Sequence, residues 1–289
     1  MAVSIEPGVL YVVATPIGNL DDLSPRARDV LAGVDLVAAE DTRLTGQLLA
    51  RLGLRRPLLS LHEHNERGRV AGLVERLAAG ASVALVSDAG TPLISDPGFP
   101  LVRECRRRGI RVSPVPGPSA LAAALSVGGL PTDRFRFEGF LPRAAAARRS
   151  LLDALAQEGA TLVFFESAHR IAASLRDMAS AFGAEREVVV GRELTKRFET
   201  VLAGPVGDVA DRVEADPEQR LGEIVVLVAG APAQTRHVDA EGERVLRALL
   251  SELPVRQAAS LAARITGGRK ADLYRRAIEM KGGADTAPS

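Results

Sequence analysis

The sequence predicts an α/β protein of two lobes followed by a basic helical extension. Three observations carry that expectation. Short aliphatic runs alternate with helical patterns, the alternation restarts after Pro116-Gly117-Pro118, and beyond the linker-like segment from Ala231 to Thr235 the pattern is wholly helical. The boundaries read as 1–117 for the first α/β lobe, 118–232 for the second and 238–281 for the tail. A chain of 289 residues is long for one core, so more than one domain accords with its length.

In the first lobe, Val9 to Ala14, Leu36 to Ala39, Leu58 to Leu61, Val83 to Val86 and Val112 to Val115 are apolar runs bounded by turn residues, as buried strands are. Helical patterns lie between them at Pro25 to Leu31, Leu44 to Leu52, Arg67 to Ala79 and Pro100 to Arg108, the last closed by Gly109. Strand and helix in strict alternation imply a mostly parallel sheet covered on its faces. The second lobe opens with a helix, Ser119 to Val127. Its strand candidates are Arg134 to Phe140, Thr161 to Phe165, Glu187 to Gly191 and Ile224 to Ala229. In the tail, Pro254 and Gly267-Gly268 divide helices at Ala240 to Leu253, Val255 to Ile265 and Ala271 to Met280, in outline a helix-turn-helix. Residues Gly282 to Ser289 read as a frayed end.

Composition narrows the function classes. A hydrophobic fraction of 46% with 25% charged residues is globular, and no apolar run approaches the length of a membrane span. One cysteine, Cys105, excludes an internal disulfide, and no Cys/His set has zinc spacing. With no basic, apolar leader in residues 1–8, the expected compartment is the cytoplasm, with no membrane partner and no metal. The net charge of +1 conceals clusters at Arg106 to Arg108, Arg143 to Arg149 and Arg256 to Arg276. Guanidinium groups match phosphate oxygens, although each cluster also fits a solvated helix face.

Three expected strand ends run into loops of glycine, proline and small polar residues: Thr15 to Asn19, Ser87 to Gly98 and Pro116 to Ala120. Open α/β sheets bind ligands at such carboxyl ends. There is no G-x-G-x-x-G and no P-loop lysine, and Asp21, Asp22, Asp88 and Asp96 would repel a triphosphate. An acidic lining tolerates a ligand with a positive centre, such as S-adenosylmethionine with its sulfonium and ammonium groups.

The phrases Ala14-Thr15-Pro16-Ile17-Gly18-Asn19-Leu20, Ala39-Glu40-Asp41-Thr42-Arg43, Ser87-Asp88-Ala89-Gly90-Thr91-Pro92 and Pro116-Gly117-Pro118-Ser119-Ala120 occur in this order. Together they resemble the tetrapyrrole methylase superfamily. With His62-Glu63-His64-Asn65-Glu66, Phe165-Glu166-Ser167-Ala168-His169-Arg170 and Gly191-Arg192-Glu193-Leu194-Thr195-Lys196 added, the resemblance narrows to the branch acting on ribosomal RNA and covers nearly the whole chain. It implies a homodimer of two-lobed protomers with S-adenosylmethionine in the cleft between the lobes. The implied cofactor positions are Ile17, Asp88, Gly90, Thr91, Ile94, Ser119, Ala120, Phe165, Leu194 and Ile224. The implied acceptor is the ribose 2'-hydroxyl of one cytidine in the decoding region of 16S rRNA, within the small ribosomal subunit.

A sulfonium donor is already activated, so the chemical difficulty lies with the hydroxyl, which needs a base or a cation nearby. Asp41 and Arg43 follow one strand, and Glu166 and Lys196 follow two others. These four are the candidate catalytic residues, expected to face the cleft. The competing reading of Asp41 is a helix N-cap with Arg43 as its solvated neighbour. His62 and His64 read as hydrogen-bonding groups rather than metal ligands, and His237 and Cys105 carry no role. In the tail, Arg269, Lys270, Arg275 and Arg276 are the candidate RNA contacts, with Asp272 and Glu279 able to weaken the last two. A tetrapyrrole or other small-molecule methylase would share the cofactor loops but would not require the arginine-rich tail. A non-catalytic RNA-binding assembly factor is the other alternative, and 3% aromatic residues give it little stacking surface.

Overall fold

A computed structural model describes residues 4–232 and 240–282. His237, Val238 and most of the expected linker lie outside the described residues, as does the expected frayed end beyond Gly282. The chain forms a first compact unit ending at Ala231 and a second beginning at Pro232.

The first unit contains two five-stranded sheets. The first is built from β1 (Leu10–Val13), β2 (Leu36–Ala39), β3 (Leu58–Ser60), β4 (Val83–Val86) and β5 (Val112–Val115), in the order β3-β2-β4-β1-β5. All its pairings are parallel, with β1 between β4 (Leu10 opposite Val83) and β5 (Leu10 opposite Val112). Parallel strands need covered crossovers, which α1 (Pro25–Gly33), α2 (Thr42–Arg51), α3 (Glu66–Ala78) and α4 (Phe99–Arg107) supply. Strand alternation distributes the side chains. Val9, Tyr11 and Val13 join Val30, Leu31 and Leu49 in one core, while Leu10 joins Leu73, Leu77 and Leu101 in another.

After α5 (Ala120–Val127) the second sheet takes β6 (Phe135–Phe140), β7 (Thr161–Ser167), β8 (Glu187–Arg192), β9 (Thr200–Pro205) and β10 (Glu223–Val228), in the order β6-β7-β10-β8-β9. Only β6 and β7 run parallel. The pairs of β10 with β7 and β8, and of β8 with β9, are antiparallel. The edge strand β9 has no counterpart among the strands expected from sequence, because Gly204 and Pro205 cut short its apolar alternation. One face of this sheet packs on α6 (Ala145–Leu155), α7 (Ile171–Phe182) and α8 (Val206–Ala215) through Phe164, Val190, Val226, Leu152, Leu175 and Val209. The other face joins Val163, Val189, Val225 and Leu227 to Ala124 of α5 and to Ile17 from the first lobe. That last core is where the two sheets meet.

The second unit is α9 (Ala240–Leu250), α10 (Val255–Thr266) and α11 (Lys270–Gly282) around Leu246, Ala258, Ala259, Ala262, Leu273 and Ala277. Gly267, at φ 70°, ends α10 in the left-handed conformation that glycine adopts without strain. Among the described residues no helix is long and apolar enough to cross a membrane.

Candidate functional site

The order β4-β1-β5 sets the carboxyl ends of these three strands side by side, where connections leave for opposite faces of the sheet, and a ligand crevice is expected there. Backbone bonds fix the three loops to one another. Thr15 N donates to Gly90 O at 2.8 Å and Gly90 N to Thr15 O at 3.1 Å, and Thr91 Oγ1 donates to Pro118 O at 3.1 Å. Gly90 stands at φ 82°, and a Cβ there would meet Ile17 Cγ2 at 3.3 Å. Leu93 and Ser95 also have positive φ, at 74° and 66°. Such conformations persist only where the surroundings hold them, and they cluster at ligand-binding sites.

These loops and the second sheet enclose a cavity of about 630 Å³, within the range of small-molecule sites. All ten positions carried over from the family resemblance line it: Ile17, Asp88, Gly90, Thr91, Ile94, Ser119, Ala120, Phe165, Leu194 and Ile224. Ile17, Phe165, Leu194, Ile224 and Val225 make an apolar wall, and Glu40, Asp88 and Asp96 an acidic one. Asp21 and Asp22, expected to crowd this site, are exposed in a short turn and do not line it.

Glu40 is one of the lining residues that sequence reasoning passed over, with Phe140, Arg220 and Glu223 among the others. It follows β2, and its signal was its place beside Asp41 at a strand's carboxyl end. Burial pushes the Glu40 carboxyl up to about 6, with the charges of Asp88 and Asp96 adding to the effect. Burial also raises Asp96 to about 6 against a hydrogen bond from Ser87. Removing charged forms from water without a cation beside them favours the protonated acids.

Of the four candidate catalytic residues, Glu166 is the one that lines the cavity. Asp41 is the N-cap of α2, accepting from Arg43 N at 2.7 Å, and it pairs with the Arg43 guanidinium at 2.7 Å. The bonds from Arg43 hold the Asp41 carboxyl down to about 2. Neither residue lines the cavity, and the Arg43 side chain is 86% exposed. Lys196 also lies outside the lining; its stem crosses Gly18, where a Cβ would fall 2.2 Å from Lys196 Cγ. Its ammonium binds Glu193 at 2.8 Å and Glu223 at 3.1 Å. Burial works against that charge, but the two carboxylates outweigh it and the Lys196 pKa stands above its ordinary value.

Glu166 belongs to the lining, yet its side chain is 0% exposed. Oε1 accepts from Arg170 at 2.5 Å and from Ser167 N at 2.7 Å, and Oε2 accepts from Ser174 at 2.5 Å. Glu166 thus reaches the cavity wall, as expected of a residue facing the cleft, with both oxygens accepting hydrogen bonds from its own lobe. It anchors Arg170, which in turn donates to Leu141 O at 3.1 Å.

His62 and His64 stand with ring centroids 6.0 Å apart. His62 Nε2 lies 3.0 Å from Asn65 Nδ2, and among the described residues no three His, Cys, Asp or Glu side chains are grouped to hold a metal ion. In the second unit Arg269 and Lys270 are exposed at the turn before and at the start of α11. Arg276 differs from the expectation for a free RNA contact. It binds Glu243 at 2.5 Å and Glu279 at 3.0 Å, linking α11 to α9. Arg275 is exposed, with Asp272 at 3.7 Å.

A family model described as Tetrapyrrole (Corrin/Porphyrin) Methylases matches residues 9–210, and one described as RsmI C-terminal HTH domain matches residues 236–281. A Xylella fastidiosa protein named ribosomal RNA small subunit methyltransferase I is 58% identical over 268 residues, covering 93% of this chain and 98% of the relative. The protein of that name in Pseudomonas aeruginosa is 56% identical over 277 residues, covering 95% and 98%. Among solved structures, uroporphyrin-III-C-methyltransferase from Thermus thermophilus superposes with a TM-score of 0.53 at 23% identity, covering 78% of this chain and 95% of that one. Diphthine synthase superposes at 0.57 and 18%, covering 76% and 90%. At these identities the two structures speak for the fold alone.

Proposed function

The chain belongs to the tetrapyrrole methylase family and carries that family's ribosomal-RNA-branch C-terminal domain, and from this premise we propose that it transfers a methyl group from S-adenosylmethionine to small-subunit ribosomal RNA. The finer assignment we propose is the ribose 2'-hydroxyl of one cytidine in the decoding region of 16S rRNA, with a homodimer acting in the cytoplasm. The observation that carries the cofactor reading is the cavity itself. Its apolar wall suits an adenosine, and its acidic wall suits a sulfonium and an ammonium.

The bound cofactor supplies an electrophilic methyl carbon. The protein's part is to hold donor and acceptor in line and to manage the hydroxyl proton. Ser119 and Thr91 supply hydroxyls in the cavity wall, and Ile17, Phe165 and Leu194 exclude water from it. Asp41, Arg43 and Lys196 serve the acceptor from outside the cavity, the exposed Arg43 guanidinium meeting phosphate. Glu166 is a positioning residue within the wall, holding Arg170. Arg269 and Lys270 extend the RNA footprint to the second unit, with Arg275 beside them and Arg276 contributing less because two carboxylates occupy it.

Isolated small subunits from a strain lacking this activity should accept labelled methyl from the cofactor in the presence of the protein, and nuclease mapping should place the label on one ribose. Thr91→Arg should abolish cofactor binding by calorimetry while the far-ultraviolet spectrum is kept. A folded Thr91→Arg protein with unchanged affinity would overturn the placement of the cofactor, and label on a tetrapyrrole but not on RNA would overturn the acceptor.

A further inference from the structure

We propose that Glu40 is the base that receives the acceptor's hydroxyl proton, a role that rests on the methyl-transfer reading above and goes beyond it. Position comes first. Glu40 lines the cavity, and it immediately precedes the Asp41–Arg43 pair, whose guanidinium is open to solvent where a polyanionic acceptor would arrive.

Most of the remaining acidic groups are committed elsewhere. Asp41 is paired with Arg43, the Glu166 oxygens accept from Arg170 and Ser174, and Glu223 holds Lys196. Asp88 Oδ1 accepts from Asp41 N at 2.9 Å, and Asp96, raised to about 6 by burial, is the rival acid in the lining that the test must separate from Glu40. Among the described residues no cation pairs with Glu40. Asp88 and Asp96 face it from the β4 loop, Asp41 adjoins it in sequence, and His169, Arg220 and Glu223 belong to the wall formed by the second lobe.

A carboxylate in this setting is a stronger base than one in water, with its proton affinity raised to about 6 by burial and by its acidic neighbours. It is still ionised near neutral pH, the condition for a general base. The step balances. Glu40 takes the proton as the acceptor oxygen's electron pair forms the new O–C bond, and the electron pair of the broken C–S bond stays with sulfur. The carboxylic acid then returns its proton to water.

Two readouts test this. In the protein without cofactor, carbon-detected NMR of carboxyl groups should show one glutamate titrating near pH 6 that is lost in Glu40→Gln. In single-turnover methylation of small subunits, wild-type rate should rise with pH through the same region and level off. Glu40→Gln should be about 100-fold slower or more and lack that limb, with cofactor affinity by calorimetry within about fivefold of wild type. A rate limb that persists in Glu40→Gln but disappears in Asp96→Asn would overturn the assignment, as would parallel losses of affinity and rate. Absence of cofactor binding in the wild type would instead sink the methyl-transfer reading itself.

Discussion

Among single residues, the acidic wall trades stability for reactivity. Glu40 and Asp96 hold their protons more tightly in the folded chain than free carboxyls do, each raised to about 6 from ordinary values of 4.5 and 3.8. Between those ordinary values and about 6 the folded state binds more protons than the unfolded state, so this contribution to stability falls as pH rises through that window. It is present in full below about pH 4 and lost above about pH 6. Asp96→Asn removes the charge while keeping the shape. Chemical denaturation at pH 8 should find the variant more stable by ~1 kcal/mol, after discounting for partial solvent access, with little difference at pH 4. A variant less stable at both values would show that the Ser87 hydrogen bond outweighs the buried charge.

The elements show how one side chain can serve two purposes. Asp41 caps α2 and also pairs with Arg43, so a loss of activity on mutation has two explanations. Asparagine caps as well as aspartate but cannot form the ion pair, whereas alanine does neither. Asp41→Ala should lower stability by ~1 kcal/mol, and Asp41→Asn by much less. If methylation falls similarly in both while cofactor affinity holds, the pair serves the acceptor; if only Asp41→Ala loses activity, the cap explains it. In the first sheet β1, β2 and β4 were legible in sequence because each is an apolar run buried along most of its length, and the loops after β1 and β4 carry cavity residues at fixed strand ends. β9 was not, since an edge strand need bury only alternate residues and its apolar pattern is three residues long before Gly204. Nor could spacing reveal that the Glu166 carboxylate is taken up by its own lobe, because one partner, Ser174, lies eight positions later on α7. Glu40 was hidden by its neighbour: period-two alternation places one member of each adjacent pair in the site, and Asp41, with Arg43 close behind it, carries the more conspicuous chemistry.

For the whole molecule, the footprint on RNA should be separable from the chemistry. The Arg269→Glu, Lys270→Glu double variant alters two exposed cations in the second unit, while the cavity belongs to the first. Binding to small subunits should weaken, and the slope of log affinity against log salt should flatten by roughly 0.7 to 0.9 for each phosphate that is no longer neutralised. Cofactor affinity should not move. Unchanged subunit affinity and slope would assign these cations to packing or solvation. The sheet order has a consequence of another kind. β1 leaves the ribosome well before its hydrogen-bond partners β4 and β5, and among the described residues no pairing with β2 or β3 holds it meanwhile. Leu10 must wait for Val83 and then Val112 to be synthesised before the centre of the sheet can close. Nascent chains stalled before Val83 should therefore be readily digested by protease, and refolding should be slowed by the entropy of closing these long loops rather than by any local step.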